Sequence, residues 1–168
     1  MASDFFLEIV TKKGGKIKGE SSPQSACPEQ IPVWKFVIGL TSPTDFDGQA
    51  TGRVQLEHAE FEFLSSISST PLFQTLCTND VIKSATLTCR KAGGTGKEMT
   101  FIQWRFNDAR LVSYKMTADD DEPVDSITIA YASVEISYKQ QKQDGSMAAS
   151  LMACYDSGSN TMQKPTLK

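Results

Sequence analysis

The sequence has little of what metal centres and acid–base catalysis require. It contains one histidine, His58, and four cysteines with no C-x-x-C pair among them. Because structural zinc sites use closely spaced cysteine and histidine ligands, the composition argues against a Cys/His zinc site. We predict that Cys27, Cys77, Cys89 and Cys154 are reduced thiols rather than a disulfide framework, and that Cys77 and Cys89 are buried on apolar faces.

The chain also lacks an excess of positive charge and any long apolar run. It has 17 basic and 20 acidic residues, a net charge of −3, whereas phosphate binding needs a clustered positive field, so no nucleic-acid partner is predicted. No apolar run approaches the roughly 18 residues that span a bilayer, which predicts no membrane insertion. Asp4 and Glu8 interrupt the first apolar segment, and no positive region precedes it, so we expect no signal peptide. These features predict a protein that starts in the cytoplasm and, if it is secreted, leaves by a route that reads no N-terminal signal.

Catalytic and cofactor fingerprints are missing as well. No G-x-S-x-G elbow is present, and His58 lies within a predicted strand, which favours a partly buried structural histidine. The segment Gly94–Lys97 lacks the first glycine and the final Ser or Thr of a phosphate-binding loop and favours a hairpin turn. A pair of catalytic carboxylates stays open from the sequence alone, although Glu57, Glu60 and Glu62 have the pattern of a solvated strand face. The sequence therefore predicts no cofactor and favours a protein that is not an enzyme.

What the sequence does contain is a series of β-strand patterns with one helical segment. The strand patterns cover residues 4–10, 31–40, 53–64, 81–91, 98–107, 110–117, 125–139 and 148–155. A helix is predicted at about residues 70–78, with Thr70 as its N-cap and Pro71 at the first helical position. Turn residues such as Asn107-Asp108 predict hairpins between neighbouring strands.

Two of the predicted strands, 53–64 and 125–139, carry a one-residue slip in their alternation. Such a slip indicates a bulge, and bulges let a sheet curl and close. We therefore predict a single all-β domain over residues 1–168. Its expected architecture is a closed antiparallel β-barrel with one short α-helix packed on it, followed by a disordered tail at about residues 161–168.

Short motifs follow one another along the chain: Asp4–Ile9 with Ile17-Lys18-Gly19-Glu20-Ser21, Ile31–Gly39, Gly52-Arg53-Val54, Ser69-Thr70-Pro71-Leu72 through Cys77, Arg90-Lys91-Ala92-Gly93-Gly94, Leu111-Val112-Ser113, Tyr138–Gln141 with Asp144-Gly145, and Tyr155-Asp156 with Asn160. In this order they resemble the hemolysin-coregulated protein (Hcp) family, the tube subunits of bacterial type VI secretion systems. Each motif alone is weak, but their number, order and spacing are specific. The chain departs from the family pattern at Thr11–Lys16, at Cys27-Pro28 and in the loop 42–52.

The resemblance implies a structural function. Six copies are expected to form a head-to-tail ring, and rings to stack into a hollow tube that carries effector proteins in its lumen. The implied partners are further copies of the chain, a spike protein at the tube tip, contractile sheath proteins and effectors. The tube would be exported from the cytoplasm without an N-terminal signal.

The resemblance also suggests which residues make the contacts. The loop Ser42–Gly52 is expected to mediate ring-on-ring stacking, through Thr44, Asp45, Phe46, Asp47 and Gly48. Phe46 is predicted either to anchor that contact or to fold back onto its own barrel. Lys35 and Val37, on the strand face opposite Trp34 and Phe36, are candidates for the lumen wall.

Two alternatives remain open from the sequence. One is a phage-type tail tube protein, which shares the same physical design. The other is a monomeric barrel that binds a small apolar ligand, which would need interior side chains too small to fill the barrel. The available aromatic residues favour a filled interior: Phe36, Phe61, Phe63, Trp104 and Phe106.

Overall fold

The computed structural model describes residues 3–22, 24–93 and 96–167. Its elements, in chain order, are β1 (Ser3–Thr11), β2 (Gly15–Ile17), β3 (Ile31–Val33), β4 (Lys35–Val37), β5 (Leu40–Thr41), β6 (Gln55–Leu56), β7 (Ala59–Leu64), α1 (Ser69–Cys77), β8 (Val81–Ala92), β9 (Glu98–Thr117), β10 (Val124–Ala130), β11 (Ser133–Gln141), β12 (Met147–Asp156) and β13 (Thr161–Gln163). The predicted class is confirmed: the described chain is mostly β-structure with one helix. The predicted strands 31–40 and 53–64 are each divided into shorter strands, and the sequence patterns missed β2 and β13.

The central strand of the sheet is β9, which is 20 residues long. Its first half lies between β8 and β11, and its second half pairs with β10. The prediction of two strands with a turn at Asn107-Asp108 is therefore wrong. Asp108 instead adopts a positive φ of 47° inside the strand, where the pairing with β8 skips Lys83. A positive φ is tolerated by aspartate, and the register with β8 is the same on both sides of Asp108, so β9 continues through it.

The slip predicted within residues 125–139 marks a break between two strands. β10 ends at Ala130 and β11 begins at Ser133, and the two strands pair with different halves of β9. The backbone N–H of Ala132 donates to the Asn107 carbonyl at 3.2 Å, which fixes the crossing point beside Asp108 of β9. Residues 124–141 therefore form two strands that pair with different halves of β9.

The sheet is not closed into a barrel, contrary to the prediction. β3 pairs with β1 and β4 pairs with β7, but these two short strands are separated at Trp34. Pro32 has no N–H to donate, which limits the hydrogen-bond ladder at β3. A backbone bond from the Trp34 N–H to the Glu62 carbonyl, at 3.2 Å, bridges the interruption. The sheet consequently wraps the core without forming a continuous ring of strands.

The core lies on the concave side of this sheet. In β7 the alternation is strict, with Ala59, Phe61 and Phe63 buried and Glu60 and Glu62 on the other face. Residues from the other strands and Leu72 of α1 complete the cluster, including Leu7, Ile9, Ile31, Leu87, Phe106, Ile127 and Ile129. Each large side chain buried in this way contributes about 1.5–3 kcal/mol, so the strand alternation is the main source of stability.

The helix is held against the sheet by a buried carboxylate that sequence reasoning missed. Its N-cap is Ser68, not the predicted Thr70, and no side chain caps it. The fully buried Asp125 of β10 accepts hydrogen bonds from the hydroxyls of Ser65 (2.7 Å), Ser69 (2.5 Å) and Tyr114 (3.0 Å). Three hydroxyl donors satisfy the buried charge and join the start of α1 to β9 and β10.

The helix has a solvent side that includes Cys77. Leu72 and Thr75 are buried, whereas Phe73 is exposed. Cys77 is also exposed, so its predicted burial is wrong; the prediction for Cys89 is confirmed. Phe73 and Cys77 are four residues apart and share one face of the helix, on which Phe73 makes an edge contact with Tyr114 but stays largely exposed.

The Gly19-Glu20-Ser21 motif shapes the loop that precedes β3. A Cβ on Gly19 would lie 2.2 Å from the Gln30 carbonyl oxygen, so a side chain cannot fit there. Glu20 accepts a hydrogen bond from the Ile67 N–H at 3.0 Å, and the Ser21 hydroxyl accepts one from the Gln30 N–H at 2.7 Å. Each residue of the motif therefore has a separate structural role.

Candidate assembly surfaces

The loop predicted to mediate stacking is an ordered hairpin that stands apart from the main sheet. β5 and β6 form a separate two-stranded sheet, and Thr44 and Ala50 make an isolated bridge beyond it. At the tip, a carboxylate oxygen of Asp45 accepts hydrogen bonds from the N–H groups of Asp47 (3.1 Å) and Gln49 (2.8 Å). Gly48 completes the turn with a φ of 81°, a conformation that favours glycine. These bonds hold the hairpin tip in one shape without help from the rest of the chain.

Phe46 is fully exposed at this tip. Its relative exposure is 105%, the highest among the exposed large hydrophobic residues. The hypothesis that Phe46 folds back onto its own chain therefore does not describe this structure. A rigid turn that presents a bare phenyl ring between two aspartates has the chemistry of a contact anchor.

Lys35 and Val37 lie on a polar outer face formed by β4, β7 and β10. Lys35 is opposite Glu62 and Val37 is opposite Glu60 in the β4–β7 register. The Lys35 ammonium contacts the Glu62 carboxylate at 2.8 Å. This hydrogen bond and the opposite charge raise the pKa of Lys35, and the same hydrogen bond lowers the pKa of Glu62. The face therefore carries ion-paired charges at neutral pH and is well hydrated.

A second exposed surface is apolar and continues the core-facing side of the sheet. We call it the wing face, made by β11, β12 and β13 beyond the region that the core covers. Three cross-strand rows that run from β9 onto this face consist of apolar residues: Ile102, Tyr138 and Leu151; Trp104, Ile136 and Ala153; and Val134, Tyr155 and Met162. Val134 is buried in the core, and the exposure increases outward from it. The outermost residues are strongly exposed, Leu151 at 75% and Met162 at 66%.

A groove separates the wing face from the base of the hairpin. Its volume is about 290 Å³. The lining is almost wholly apolar and includes Leu40, Val54, Trp104, Ile136, Tyr155 and Met162. The hairpin base and the wing face thus form two sides of a slot that is open to solvent.

The opposite face of the wing is covered by the C-terminal segment. Glu135, only 2% exposed, accepts hydrogen bonds from the N–H and hydroxyl of Thr166, both at 2.8 Å, and from the Leu167 N–H at 3.0 Å. Burial raises the pKa of the Glu135 carboxyl, but these bonds outweigh it and hold the pKa below its usual value. Within the segment predicted to be a disordered tail, residues 161–163 form β13, and Thr166 and Leu167 donate hydrogen bonds to Glu135.

The residues considered for catalysis are not brought together. His58 is exposed between β6 and β7, not partly buried as predicted. Within the described residues no group of three or more His, Cys, Asp or Glu side chains is placed to hold a metal ion. Part of Gly94–Lys97 lies outside the described residues. In the adjoining hairpin, the buried Arg90 forms an ion pair with Glu98 at 2.6 Å.

Comparison with known proteins resolves the family. A family model described as "Type VI secretion system effector, Hcp" matches residues 6–138. The chain belongs to the Hcp family. A search of curated protein sequences found no significant match.

Solved structures show the same fold over nearly the whole Hcp chain. A protein described as a type six secretion system protein aligns with a TM-score of 0.84 at 19% identity, covering 96% of this chain and 100% of that one. Hcp1 from Salmonella typhimurium aligns with a TM-score of 0.76 at 22% identity, covering 97% and 100%. A mutant of Hcp1 from E. coli EAEC 042 aligns with a TM-score of 0.77 at 20% identity, covering 93% and 99%. At these identities the likeness shows the fold.

The family is that of a secreted component of type VI secretion and is not an enzyme family. Within the described part of the chain, no helix is long and apolar enough to cross a membrane. Sequence reasoning missed the wing face, although its signal was present. Tyr138 and Leu151 lie on strands whose alternation continues past the residues needed to fill the core.

Proposed function

We propose that this Hcp protein is a structural subunit of the inner tube of a type VI secretion system. Six copies form a ring, rings stack into a hollow tube, and the tube leaves the cell with a spike protein at its tip when a contractile sheath acts on it. The observation that carries this proposal is the fully exposed Phe46 on an ordered hairpin, in a chain with the Hcp fold. An apolar ring that is exposed in the monomer can be buried in a contact between stacked copies, which explains its position on the hairpin.

Head-to-tail assembly fits the distribution of surfaces. The chain exposes unlike patches, and contacts between unlike patches close into rings or extend into open stacks, depending on the rotation between copies. The edge strands β4, β5 and β13 leave backbone groups that a neighbouring copy can pair with. We propose that stacking between rings uses the hairpin tip, Thr44, Asp45, Phe46, Asp47 and Gly48.

The polar outer face supports the proposed lumen. A channel that carries effector proteins needs a hydrated wall that does not bind every apolar surface. Lys35, which is ion-paired with Glu62, suits such a wall. Val37 is an apolar side chain opposite Glu60 on the same face. We propose that these residues face the lumen and that effectors are the cargo.

A monomeric ligand-binding barrel is less well supported. The core contains fully buried Phe61, Phe63 and Phe106, with Phe61 and Phe106 in edge contact at 6.1 Å between ring centroids. These rings occupy the interior that a ligand would need. A phage-type tail tube protein stays a related alternative, but the match to the type VI secretion family favours the secretion role.

Native mass spectrometry and electron microscopy test the proposal. We expect a ring-shaped hexamer at micromolar concentration, without added ligand or metal. Phe46→Asp should leave the hexamer intact and abolish stacked tubes and secretion. Phe73→Asp is the comparison variant, because Phe73 is also an exposed aromatic but lies on α1. Its melting temperature is measured alongside, since Phe73 makes an edge contact with Tyr114 at 6.5 Å between ring centroids. Only monomers or dimers of the unsubstituted protein would reject the ring, and normal tubes of Phe46→Asp would reject the stacking role of the hairpin.

A further inference from the structure

Among the described residues, none occupies the slot between the hairpin base and the wing face. Leu40 and Val54, at the base of the hairpin, line it, whereas Phe46 is at the tip and fully exposed. The bridge between Thr44 and Ala50 and the bonds to Asp45 hold the tip in its turn. The same molecule therefore presents an unfilled apolar slot and an unburied apolar ring.

We propose that this slot receives Phe46 of a second copy of the chain. The inference deepens the proposed function, on which it rests, by naming the surface that the stacking hairpin contacts. One copy supplies the ring and the next supplies the slot, so the contact is head-to-tail and repeats without limit along an assembly. A contact between unlike patches is what a growing stack requires.

Size and polarity agree with a phenyl occupant. The slot has a volume of about 290 Å³, whereas a cavity of about 150 Å³ lined by Leu, Ile and Phe is large enough to bind benzene. Trp104 and Tyr155 in the lining offer aromatic surfaces for edge or offset contacts with an incoming ring. The remaining lining is aliphatic apart from Cys154 and the thioether of Met162, which suits an apolar side chain better than a charged one.

Basic residues adjoin the slot along the chain, and acidic residues flank the phenyl ring that we propose enters it. Asp45 and Asp47 flank Phe46 at the hairpin tip. The exposed Arg53 precedes Val54 of the slot, and the exposed Lys164 follows β13, which carries Met162. Opposite charges at the rim of an apolar contact favour the correct partner and orientation more than they add affinity.

The test uses cysteine pairs on separate molecules in a Cys77→Ser, Cys154→Ser background, which removes the exposed native thiol and the native thiol that lines the slot. One protein carries Asp47→Cys, which keeps the neighbouring Phe46 ring, and the other carries Met162→Cys. They are mixed under conditions in which the unsubstituted protein stacks. We expect an oxidant to form a disulfide between the two variants. The matched control replaces Met162→Cys by Met116→Cys, since Met116 is a similarly exposed methionine far along β9 from the slot, and we expect no disulfide there.

A second variant tests the slot without oxidation. Ala153→Phe fills the slot with a phenyl ring from its own chain, so we expect hexamers to form while the protein concentration for half-maximal stacking rises by at least about tenfold. If Phe46→Asp stops stacking while Ala153→Phe stacks normally and no disulfide forms between positions 47 and 162, the slot is overturned but the proposed role of the hairpin is kept. Normal stacking of Phe46→Asp, or no stacking of the unsubstituted protein, would reject the proposed function itself.

Discussion

The carboxylate of Asp125 should be one of the most sensitive single positions for stability. It is fully buried in β10 and accepts hydrogen bonds from Ser65, Ser69 and Tyr114. We consider Asp125→Ala, which removes the common acceptor and leaves three hydroxyls around a small cavity. Because those hydroxyls come from the segment before α1, from α1 and from β9, the substitution loosens the helix from the sheet as well as removing polar contacts.

The expected loss can be worked out from these contacts. A hydrogen bond to a charged group contributes about 1.5–3 kcal/mol, and three of them exceed the cost of keeping the carboxylate out of water. Removing that buried charge recovers part of the loss, so we expect the free energy of unfolding to fall by about 3 kcal/mol. For a chain of this size, this corresponds to a decrease in melting temperature of about 6–12 °C.

Urea unfolding at one fixed protein concentration measures this loss, because assembly makes apparent stability depend on concentration. Asp121→Ala is the control, since Asp121 is exposed in the loop after β9 and should change stability by less than about 0.5 kcal/mol. Asp125→Asn should lie between the two, because the amide keeps one acceptor oxygen but loses the charge. A loss below about 1 kcal/mol for Asp125→Ala, with an unchanged dependence on urea, would refute the reasoning.

Three further predictions follow from other sites. The hydrogen bonds to Glu135 hold its pKa below the usual value, so the stability they add is present above about pH 4.5 and is lost as pH falls through the lower folded pKa. When unfolding is measured at decreasing pH, Glu135→Gln should lose less free energy of unfolding than the unsubstituted protein. Equal losses of the two proteins would contradict these hydrogen bonds. Under native conditions a thiol reagent should modify Cys77 first, because Cys77 is exposed whereas burial raises the pKa of Cys89 to about 12. Peptide mass spectrometry that finds Cys89 modified first would contradict the burial of Cys89. His58→Ala should leave secretion unchanged and lower the free energy of unfolding by at most about 1 kcal/mol, because the imidazole is exposed. Loss of secretion while hexameric rings still form would show that His58 has a function.

The sequence predicted the β-class, the helix and most strand positions, since these depend on local signals. Alternation over β7 placed Phe61 and Phe63 in the core and Glu60 and Glu62 outside, as the structure has them. The slip within residues 125–139 was located correctly but interpreted as a bulge in one strand. A one-residue change of phase looks the same in sequence whether a strand bulges or ends and resumes against another partner.

The order of motifs along the chain was enough to identify the Hcp family, because local geometry restricts which residues fit at particular positions of the fold. Gly19 is an example, since the Gln30 backbone leaves no room for a Cβ. Only the tertiary structure decided which surfaces meet. The sheet stays open at Trp34, Asp125 accepts hydrogen bonds from three hydroxyls, and Glu135 binds the C-terminal segment. The wing face and Phe46 stay exposed. Alternation tells which side of a strand is apolar, but the partner that covers it is distant in sequence, and no local pattern encodes it.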